Sequence, residues 1–554
     1  MNNWQKSADL VIVGSGGGGL VAALAAQDAG MTPIVIEKQP LLGGSTAMSG
    51  GVVWLPNNPL MKAAGVPDSH ADGLAYLEAV VGDAGPCSSP ARREAFLTEA
   101  YTMIEFLLKE GLLLERCQGY SDYYPDHKGG NADGRSIEGL PFDAHELGDW
   151  HDKIMPGMAK AFGLAVKTNE VRSISCYNRS PGAFAVAARV WLRTKLGQLR
   201  KQDLLTNGGS LVGQLVKLLL ARGVTIWTGS SVQGLVVDRS VVTGVRVSRD
   251  GGEVLVEARR GVLLAAGGFA RNRDMRRKYS GSQPNEAEWT MANPGDTGEV
   301  LEQAVALGAD TDLLDEAWWN PVTLAALGNS TLSLARQRPG AIFVNKAGLR
   351  YCNESNSYVE VGKAMYANDG VPSWLVFDDG YRRRYAHQRS GRPGQLQQSW
   401  VEEGLIRQAG TVRDLARLID VPEDALDDTV SRWNQAAAKG QDPLFGRGVG
   451  AYNRCLGDPG HKINPAVGPL DQAPFYATLV FPGDVGTCGG LLTDEYARVL
   501  RTDGTAIPGL YATGNITATV MGRTYPGAGA SIANTMAFGY IAAHHAASKK
   551  DAPG

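Results

Sequence analysis

Cysteine is scarce and scattered in this sequence. The chain of 554 residues contains six cysteines, none of them in a C-x-x-C pair: Cys87, Cys117, Cys176, Cys352, Cys455 and Cys488. Dispersed cysteines in a long chain argue against a disulfide framework and against a zinc site. We therefore expect reduced thiols, no bound metal and a cytoplasmic location.

The sequence also lacks an excess of one charge and any long apolar run. Lys plus Arg is 54 and Asp plus Glu is 57, a net charge of -3, so we expect no nucleic-acid partner. Apolar runs such as residues 262–269 fall short of the roughly 18–20 residues of a transmembrane segment. The opening residues MNNWQKSADLVIV do not have the pattern of a signal peptide.

Parts that other enzyme classes require are missing as well. There is no G-x-S-x-G sequence, the eight histidines stand near no recognisable nucleophile, and no His or acid pair has metal-ligand spacing. Hydrolase and metalloenzyme readings are therefore unsupported. Glycine, in contrast, is abundant. It makes up 70 of the 554 residues, well above its usual share of about 7%, so some part of the protein needs backbone without side chains.

A β-α-β unit is predicted at the amino terminus. Residues 9–13 (DLVIV) indicate a strand, residues 21–29 a helix, and residues 34–36 a second strand that ends at Glu37. Between them stands Gly14-x-Gly16-x-x-Gly19, the dinucleotide-binding fingerprint. Gly14 permits the turn, Gly16 admits a pyrophosphate, Gly19 allows close packing of helix and strand, and Glu37 would accept a ribose hydroxyl.

Further glycine-rich segments favour a cofactor larger than a nicotinamide dinucleotide. Residues 43–46 (GGST) and 49–51 (SGG) directly follow the acidic strand, although an ordinary polar loop would look similar. In residues 260–269 a buried strand runs into the segment 265–268 (AAGG), which includes Ala266 and Gly267. This segment either forms only a tight strand end or leaves room for a cofactor at the sheet edge.

The pattern along the chain predicts an α/β fold with a discontinuous Rossmann-like FAD-binding domain and an inserted α+β catalytic domain. The first part of the FAD-binding domain is expected at residues 7–316, with two amphipathic helical stretches, residues 150–167 and 183–199, in a 142–205 insertion. The catalytic domain follows at 317–484, the rest of the FAD-binding domain at 485–548, and a disordered tail at 549–554.

Several motifs together carry a family resemblance. GSGGGGL, IEK, LLGGSTAMSGG, LLAAGGF, NES with a following tyrosine, GLYATGN and TYPGAGASI occur in this order from end to end. The sequence resembles flavoproteins of the fumarate-reductase-like superfamily and, within it, the 3-ketosteroid Δ1-dehydrogenases. The resemblance implies FAD as cofactor, a 3-ketosteroid as substrate, desaturation of C1–C2 and an electron acceptor that the sequence does not identify.

The resemblance also implies site residues. Tyr525 and the Gly529 amide would polarise the C3 carbonyl, Tyr358 would take the C2 proton, and Tyr123 would support it, with Tyr124 as the alternative. A second phenol or a nearby positive charge is expected to lower the pKa of the tyrosine base. The residues implied to hold FAD are Gly14, Ser15, Gly16, Gly18, Gly19, Glu37, Lys38, Gly44, Ser45, Thr46, Ser49, Gly50, Gly51, Ala266, Gly267, Gly514, Asn515, Ser531 and Ile532.

Four alternatives remain open at this stage. A related enzyme could act at C4–C5 of the steroid, and a fumarate-type reductase would need a carboxylate clamp, for which Arg336, Arg338 and Arg350 stand close in sequence. A flavin-containing redox sensor would have the glycines without the tyrosines. The segment at residues 353–355 (NES) either positions the loop of the base or forms a simple turn.

Overall fold

The computed structural model describes residues 4–157, 163–324, 330–332, 334–385, 394 and 398–548. Its strands, numbered in chain order, are β1 Lys6–Val13, β2 Pro33–Ile36, β3 Val52–Trp54, β4 Leu114–Arg116, β5 Ser136–Gly139, β6 Phe142–Asp143, β7 Leu204–Leu205, β8 Thr225–Trp227, β9 Ser231–Asp238, β10 Val241–Arg249, β11 Gly252–Leu264, β12 Thr311–Asp312, β13 Ala317–Thr323, β14 Ser330–Thr331, β15 Ala341–Val344, β16 Ser373–Asp378, β17 Ile406–Ala409, β18 Phe475–Thr487, β19 Gly490–Leu491, β20 Arg498–Leu500 and β21 Ala506–Ala512.

The α-helices are α1 Gly17–Asp28, α2 Gly44–Met48, α3 Pro59–Ala63, α4 His70–Val81, α5 Pro90–Lys109, α6 Thr168–Ile174, α7 Pro181–Leu199, α8 Asn207–Ala221, α9 Arg273–Ser280, α10 Glu299–Ala306, α11 Tyr358–Ala367, α12 Asp379–Arg384, α13 Gln398–Glu402, α14 Val412–Leu418, α15 Glu423–Ala437, α16 Ala451–Cys455 and α17 Ala530–Ser548. Short 3₁₀ helices lie at Pro86–Ser88, Ala144–Lys153, Ala335–Gln337 and Gly514–Ile516.

The first sheet has a parallel centre that carries the predicted β-α-β unit. Its strand order is β20-β21-β11-β1-β2-β8, with β10 paired to β11 and β9 paired to β10. Val11 pairs with Val262 on one side and with Ile34 on the other, both in parallel register. Helices α1 and α17 pack against each other and their apolar residues belong to one buried cluster with strand residues Leu10 and Ile12. The continuous apolar strands are those of a sheet covered on both faces.

A second, antiparallel sheet draws its strands from residues 317–487. The order is β14-β13-β18-β16-β15, and β17 also pairs with β18. The chain leaves the first sheet after β11 and returns to it only at β20 and β21, so the first sheet is assembled from two distant parts of the sequence. This arrangement is an α/β fold interrupted by a second sheet. The domain boundaries at 316 and 484 remain a proposal.

The segment at residues 142–205 differs in part from expectation. The second predicted helical stretch is the helix α7, but residues 150–157 and 163–167 do not form the first one. A 3₁₀ helix ends at Lys153 instead. Pro156 and Gly157 follow, and Gly163 has a positive φ of 63°, so proline and glycine inside the stretch disfavour a continuous helix. The middle of that stretch, 158–162, and the predicted tail, 549–554, lie outside the described residues.

Among the helices of the described chain, none combines the length and apolar character needed to cross a bilayer.

Candidate active site

One cavity of about 1160 Å³ connects the glycine fingerprint with three tyrosines. It is lined by the carboxyl ends of the first sheet, by residues of the second sheet and by helix α6. Pockets for a single small molecule usually measure about 300–1000 Å³. The cavity is therefore large enough for an extended cofactor and a substrate together.

Two fingerprint glycines explain why bare backbone is needed here. Gly14 has φ 107°, and a Cβ atom on it would lie 2.2 Å from the Ala265 carbonyl oxygen, so the turn itself requires glycine. At Gly16 a Cβ would lie 3.7 Å from Thr46 Oγ1, the nearest atom outside the neighbouring residues of the chain. Because the surrounding protein tolerates a side chain at position 16, the glycine keeps space free in the cavity, as an approaching pyrophosphate requires.

The amino terminus of helix α1 gives that space a partial positive charge. Helix α1 begins at Gly17 without an acidic residue in its first turn and without a side-chain cap from Gly16. Gly17 N donates to Thr46 Oγ1 at 3.1 Å. The unpaired N–H groups and the dipole of a helix amino terminus favour phosphate groups.

Glu37 is held at the end of β2 by the fingerprint loop. Its carboxylate accepts from Ser15 N at 3.0 Å, from Ser15 Oγ at 2.7 Å and from Gln39 N at 2.8 Å. Ser15 Oγ in turn accepts from Gly43 N at 3.0 Å, which ties the two glycine loops together. A carboxylate offers about four acceptor positions, so the cavity-lining Glu37 retains capacity for a ribose hydroxyl.

Nearly all predicted cofactor residues line the cavity. Those that do are Gly14, Ser15, Gly16, Gly18, Glu37, Lys38, Gly44, Ser45, Thr46, Ser49, Gly50, Gly51, Ala266, Gly267, Gly514, Asn515, Ser531 and Ile532. Gly19 is the exception, because it faces the strand: a Cβ there would lie 2.2 Å from the Gly14 carbonyl oxygen. Gly19 serves the packing of helix against strand and is not a contact of the cavity.

Asp296 is a cavity residue that the sequence analysis missed. It is buried, and its carboxylate accepts from Ser45 Oγ at 3.2 Å. Burial raises its pKa to about 7, against hydrogen bonding by Ser45 and the charge of Lys38. A Cβ on Gly267 would lie 2.3 Å from Asp296 Oδ1. Its surroundings, ANPGDTG, match no motif considered, so only the folded chain reveals this carboxylate.

The three predicted tyrosines meet at the other end of the cavity. The ring centroids of Tyr123 and Tyr358 lie 5.4 Å apart, those of Tyr358 and Tyr525 5.1 Å, and those of Tyr123 and Tyr525 5.6 Å. Trp318 packs edge-on against Tyr525 at 5.1 Å. Residues separated by as many as 402 positions in sequence thus form one cluster.

Hydrogen bonds join the segments that carry these tyrosines. Tyr123 N donates to the Pro526 carbonyl at 2.9 Å, which connects the SDYYP and TYPGAG motifs. Tyr525 and Ser531 share a hydroxyl–hydroxyl hydrogen bond of 3.0 Å. Gly529 lies directly before α17 and lines the same cavity. The hydroxyl of Tyr525 and the backbone at Gly529 therefore border one space.

Neighbouring Tyr124 points elsewhere. Its hydroxyl donates to Glu360 Oε1 at 3.0 Å, and Tyr124 is not among the residues that line the cavity, whereas Tyr123 is. Asp122, just before them, is held by Arg135 Nη1 at 2.9 Å and by Trp54 Nε1 at 2.7 Å. This buried network fixes the loop so that Tyr123 faces the cavity.

The pKa of Tyr358 differs from expectation. Enclosure of the ring raises the pKa well above the ordinary phenol value, and the neighbouring Tyr525 raises it further, while a hydrogen bond from Tyr123 acts in the opposite direction. Burial likewise raises the pKa of Tyr123. The predicted lowering by a second phenol is present as the Tyr123 hydrogen bond, but desolvation outweighs it and the net pKa of Tyr358 is raised.

Tyr452 is a fourth member of the cluster that the sequence did not indicate. Its ring centroid lies 4.3 Å from that of Tyr123, and Gln337 Nε2 donates to its hydroxyl at 3.4 Å. Burial raises the pKa of Tyr452, whereas the charge of the buried Arg336 and hydrogen bonding with Gln337 and Tyr123 lower it. Tyr452 lies on the short helix α16, in a part of the sequence without any motif.

The NES segment is anchored by a buried ion-pair network. Glu354 contacts Arg350 at 2.8 Å and Arg447 at 3.1 Å. Burial acts to raise the pKa of Glu354, but these two guanidinium groups outweigh it and lower the pKa to about 2. Arg336 Nη1 donates to the carbonyls of Glu354 and Asn356. The NES segment is thus a fixed support, and Tyr358, the first residue of α11, follows it three residues later.

The arginines considered for a carboxylate clamp have other partners. Arg336 binds backbone carbonyls of the NES segment and Arg350 pairs with Glu354 and Asp442. Arg338 lines the cavity but donates to Ser175 Oγ at 2.6 Å and to the carbonyls of Arg172 and Gly457. This geometry gives no support to a site for a dicarboxylate.

The cavity also has apolar wall residues. They include Leu164, Val166, Val171, Ile174, Leu334 and Leu456. Residues 163–175 belong to the 142–205 segment, which therefore forms part of the wall. These residues could not be chosen from sequence because nothing in their local pattern distinguishes them from core residues.

The fold and the site together define a class. A dinucleotide cradle at the carboxyl edge of a parallel sheet, opening into a compartment of phenols and apolar walls, is the architecture of a flavin-dependent oxidoreductase. The space at Gly16, the helix terminus and Glu37 fit the pyrophosphate and ribose of FAD.

Comparison with known proteins agrees with this assignment to the flavin-dependent oxidoreductases. Residues 9–532 match the family described as FAD binding domain. The chain is 41% identical over 563 residues to a 3-oxosteroid 1-dehydrogenase of Mycobacterium tuberculosis, a match that covers 97% of this chain and 98% of the relative. The chain belongs to the FAD-dependent 3-oxosteroid 1-dehydrogenase family.

Two further relatives help to frame the substrate question. The crystal structure of 3-ketosteroid Δ1-dehydrogenase from Sterolibacterium denitrificans, in complex with 1,4-androstadiene-3,17-dione, superposes with a TM-score of 0.92 at 34% identity, covering 99% of this chain and all of that one. A 4-oxocyclohexanecarboxylate 2-dehydrogenase of Sinomonas cyclohexanicum is 34% identical over 97% of this chain and 92% of the relative.

Proposed function

We propose that this protein is an FAD-dependent enzyme that introduces the C1–C2 double bond into a 3-ketosteroid. The observation that carries the proposal is the cluster of Tyr123, Tyr358 and Tyr525, which lines the same cavity as the dinucleotide fingerprint. A ketone in this place would lie among hydroxyl groups, with the rest of the molecule against apolar walls.

The carbonyl oxygen at C3 would bind at Tyr525 and Gly529. The Tyr525 hydroxyl and the Gly529 N–H donate to it, and the enolate that develops on this oxygen is stabilised as in an oxyanion hole. With the Tyr525 proton directed at the ketone, Ser531 Oγ donates to the Tyr525 hydroxyl at 3.0 Å, which orients that hydroxyl. Activation of the ketone makes the neighbouring C2–H acidic enough for removal.

Tyr358 is the proposed base for the C2 proton. Its phenolate takes the proton, and Tyr123 donates a hydrogen bond to that phenolate. One hydroxyl donates one proton, so Tyr452 in turn can donate to Tyr123 and Gln337 to Tyr452. This chain of donors supports the phenolate against the desolvation that raises the pKa of Tyr358. Tyr452 is accordingly a positioning residue and does not touch the substrate.

The oxidised flavin of FAD, when bound, supplies the hydride acceptor for C1. The balance is then complete, with one proton on Tyr358, one hydride transferred and a new C1–C2 double bond in the steroid. Because the base works as the phenolate and its pKa is raised, kcat/KM is expected to increase with pH across the neutral range, by about tenfold per pH unit.

The closest competing substrate is a 4-oxocyclohexanecarboxylate. It shares the ketone chemistry but is far smaller and carries a carboxylate, which needs a cationic partner. Arg338, which lines the cavity, donates to Ser175 and two carbonyls, and apolar side chains form much of the cavity wall. These features favour the steroid over the cyclic acid.

The deciding experiment mixes the purified FAD-loaded protein with androst-4-ene-3,17-dione without oxygen. The expected result is bleaching of the flavin and a product whose NMR spectrum shows a C1–C2 double bond. A C4–C5 double bond formed from a 5α-saturated 3-ketosteroid, without reaction at C1–C2, would instead assign the alternative regiochemistry. Bleaching by 4-oxocyclohexanecarboxylate alone would keep the chemistry and overturn the steroid.

A further inference from the structure

Helix α7 (Pro181–Leu199), in the 142–205 segment, has one face anchored on the protein. Ala183, Val190, Thr194 and Gly197 are buried, at spacings that place them on the same side of a helix. Thr194 Oγ1 accepts from Ala165 N at 3.0 Å. This side therefore holds the helix firmly against the preceding segment.

The opposite face is apolar and exposed. Its large side chains are exposed by 41 to 80% of their surface: Phe184, Trp191, Leu192, Leu196 and Leu199. They make up five of the sixteen exposed large apolar residues of the described chain, although the helix has only 19 residues. Trp191 is the single exposed tryptophan among the eleven in the protein. Contiguous apolar surface of this kind marks an interaction site.

The charged residues of the helix that carries this face, and of the two residues after it, are all basic. Residues 181–201 contain five Lys and Arg and no Asp or Glu, in a chain whose net charge is -3. Arg193 forms an ion pair with Glu170. The other four basic side chains are exposed, and they are Arg189, Lys195, Arg200 and Lys201.

We propose that α7 docks on the surface of an anionic lipid membrane. Aromatic and leucine side chains on one side of a helix, bordered by Lys and Arg, match an interfacial helix that lies in the plane of the headgroups. Tryptophan prefers this depth, and basic residues near an anionic leaflet add electrostatic attraction to it. The helix would lie on the bilayer without crossing it.

A second copy of the chain fits the same face less well. A two-fold interface would bring α7 against α7 and so place two sets of basic residues together without an acid from either helix to pair with them. Phospholipid phosphates provide the missing negative charge. Charge complementarity thus selects the lipid surface.

Helix α7 lies next to a wall of the cavity. The helix packs against α6 (Thr168–Ile174), whose residues Thr168, Val171 and Ile174 line the cavity. Docking would therefore place the apolar wall of the cavity close to the lipid. Delivery of a steroid from the bilayer rests on the proposed function, whereas docking itself does not.

The test is flotation of the full-length FAD-loaded protein with vesicles, which requires no turnover. Phosphatidylcholine vesicles and mixed phosphatidylcholine–phosphatidylglycerol vesicles are compared. We expect stronger binding to the mixed vesicles and partial release by salt. The double variant Phe184→Ser/Trp191→Ser should lower the partition coefficient by about tenfold or more, because binding scales with buried apolar area.

A matched control removes exposed apolar side chains elsewhere. Val305 and Leu418 are 43% and 53% exposed, and Val305→Ser/Leu418→Ser should bind vesicles like the wild type. Flavin content and circular dichroism confirm that both variants are folded. Absence of flotation for the wild type, or equal flotation of the two double variants, would overturn the proposal. So would a dimer, measured by light scattering, that only the α7 variant disrupts while neither protein binds vesicles.

Discussion

The cofactor end and the tyrosine end of the cavity are built in different ways. At the cofactor end, the β1–α1–β2 unit and the loop after it supply most contacts from one stretch of about fifty residues, largely through backbone and glycine. At the tyrosine end, Tyr123, Tyr358, Tyr452 and Tyr525 come from four distant segments. Cofactor binding is thus encoded locally, and the reactive groups depend on tertiary structure.

The largest effect is expected from a substitution that blocks the cofactor end of the cavity. Gly16→Val should abolish FAD binding and hence all turnover, since the added side chain enters space that the protein itself leaves free. The measurement is the ratio of flavin to protein absorbance. Gly410→Val is the control, because a Cβ at Gly410 meets no atom within 4 Å and this glycine lies outside the cavity lining. A folded, fully yellow Gly16→Val protein would contradict the pyrophosphate assignment.

At the tyrosine end, removal of the base should leave cofactor binding intact. Tyr358→Phe is expected to retain FAD and to lower the rate of flavin reduction by about 10²–10⁴, the usual contribution of a positioned general base. Stopped-flow absorbance measures this rate. Tyr124→Phe is the matched control, since that hydroxyl binds Glu360 outside the cavity. An equal loss in both variants would show that Tyr358 acts only through packing.

The carbonyl donor should have a somewhat smaller effect. Tyr525→Phe is expected to slow flavin reduction by about 10²–10³, as loss of one oxyanion donor does. Ser531→Ala, which removes only the neighbouring hydroxyl at 3.0 Å, should cost less than about tenfold. If Tyr525→Phe changes the apparent substrate affinity and leaves the limiting rate unchanged, Tyr525 is a binding group only.

The difference between the two ends also explains what could be predicted from sequence. The strand, turn and helix around Gly14 and Glu37 follow from local pattern and chain geometry, and the structure contains them. Tyr358 and Tyr525 were found because motifs flank them. Asp296 and Tyr452 carry no local signal, since their importance arises only when burial and neighbours are known.

The failed predictions have physical causes of the same kind. The expected helix at residues 150–167 is interrupted at its start by the 3₁₀ helix Ala144–Lys153, because helical amphipathicity is a weak guide where glycine and proline are frequent. The predicted contribution of the second phenol to the pKa of the tyrosine base has the expected direction, but the larger, opposite effect of desolvation was missed because burial of a clustered phenol cannot be read from sequence. Local chemistry was predictable, and the dielectric environment was not.

The smallest effect tests how the distant segments cooperate. In Tyr452→Phe the hydroxyl that supports Tyr123 is lost, so the phenolate of Tyr358 is less stabilised and its pKa rises further. Activity depends on the deprotonated form, so the pH profile of kcat/KM should shift to higher pH. We expect a decrease of about three- to tenfold at neutral pH that diminishes only as the pH approaches the pKa of Tyr358. Tyr381→Phe, a cavity residue whose hydroxyl binds the Ala335 carbonyl at 3.1 Å, should not shift the profile. A purely structural defect in Tyr452→Phe would lower the rate equally at every pH, and the tyrosine end would then act through Tyr123 alone.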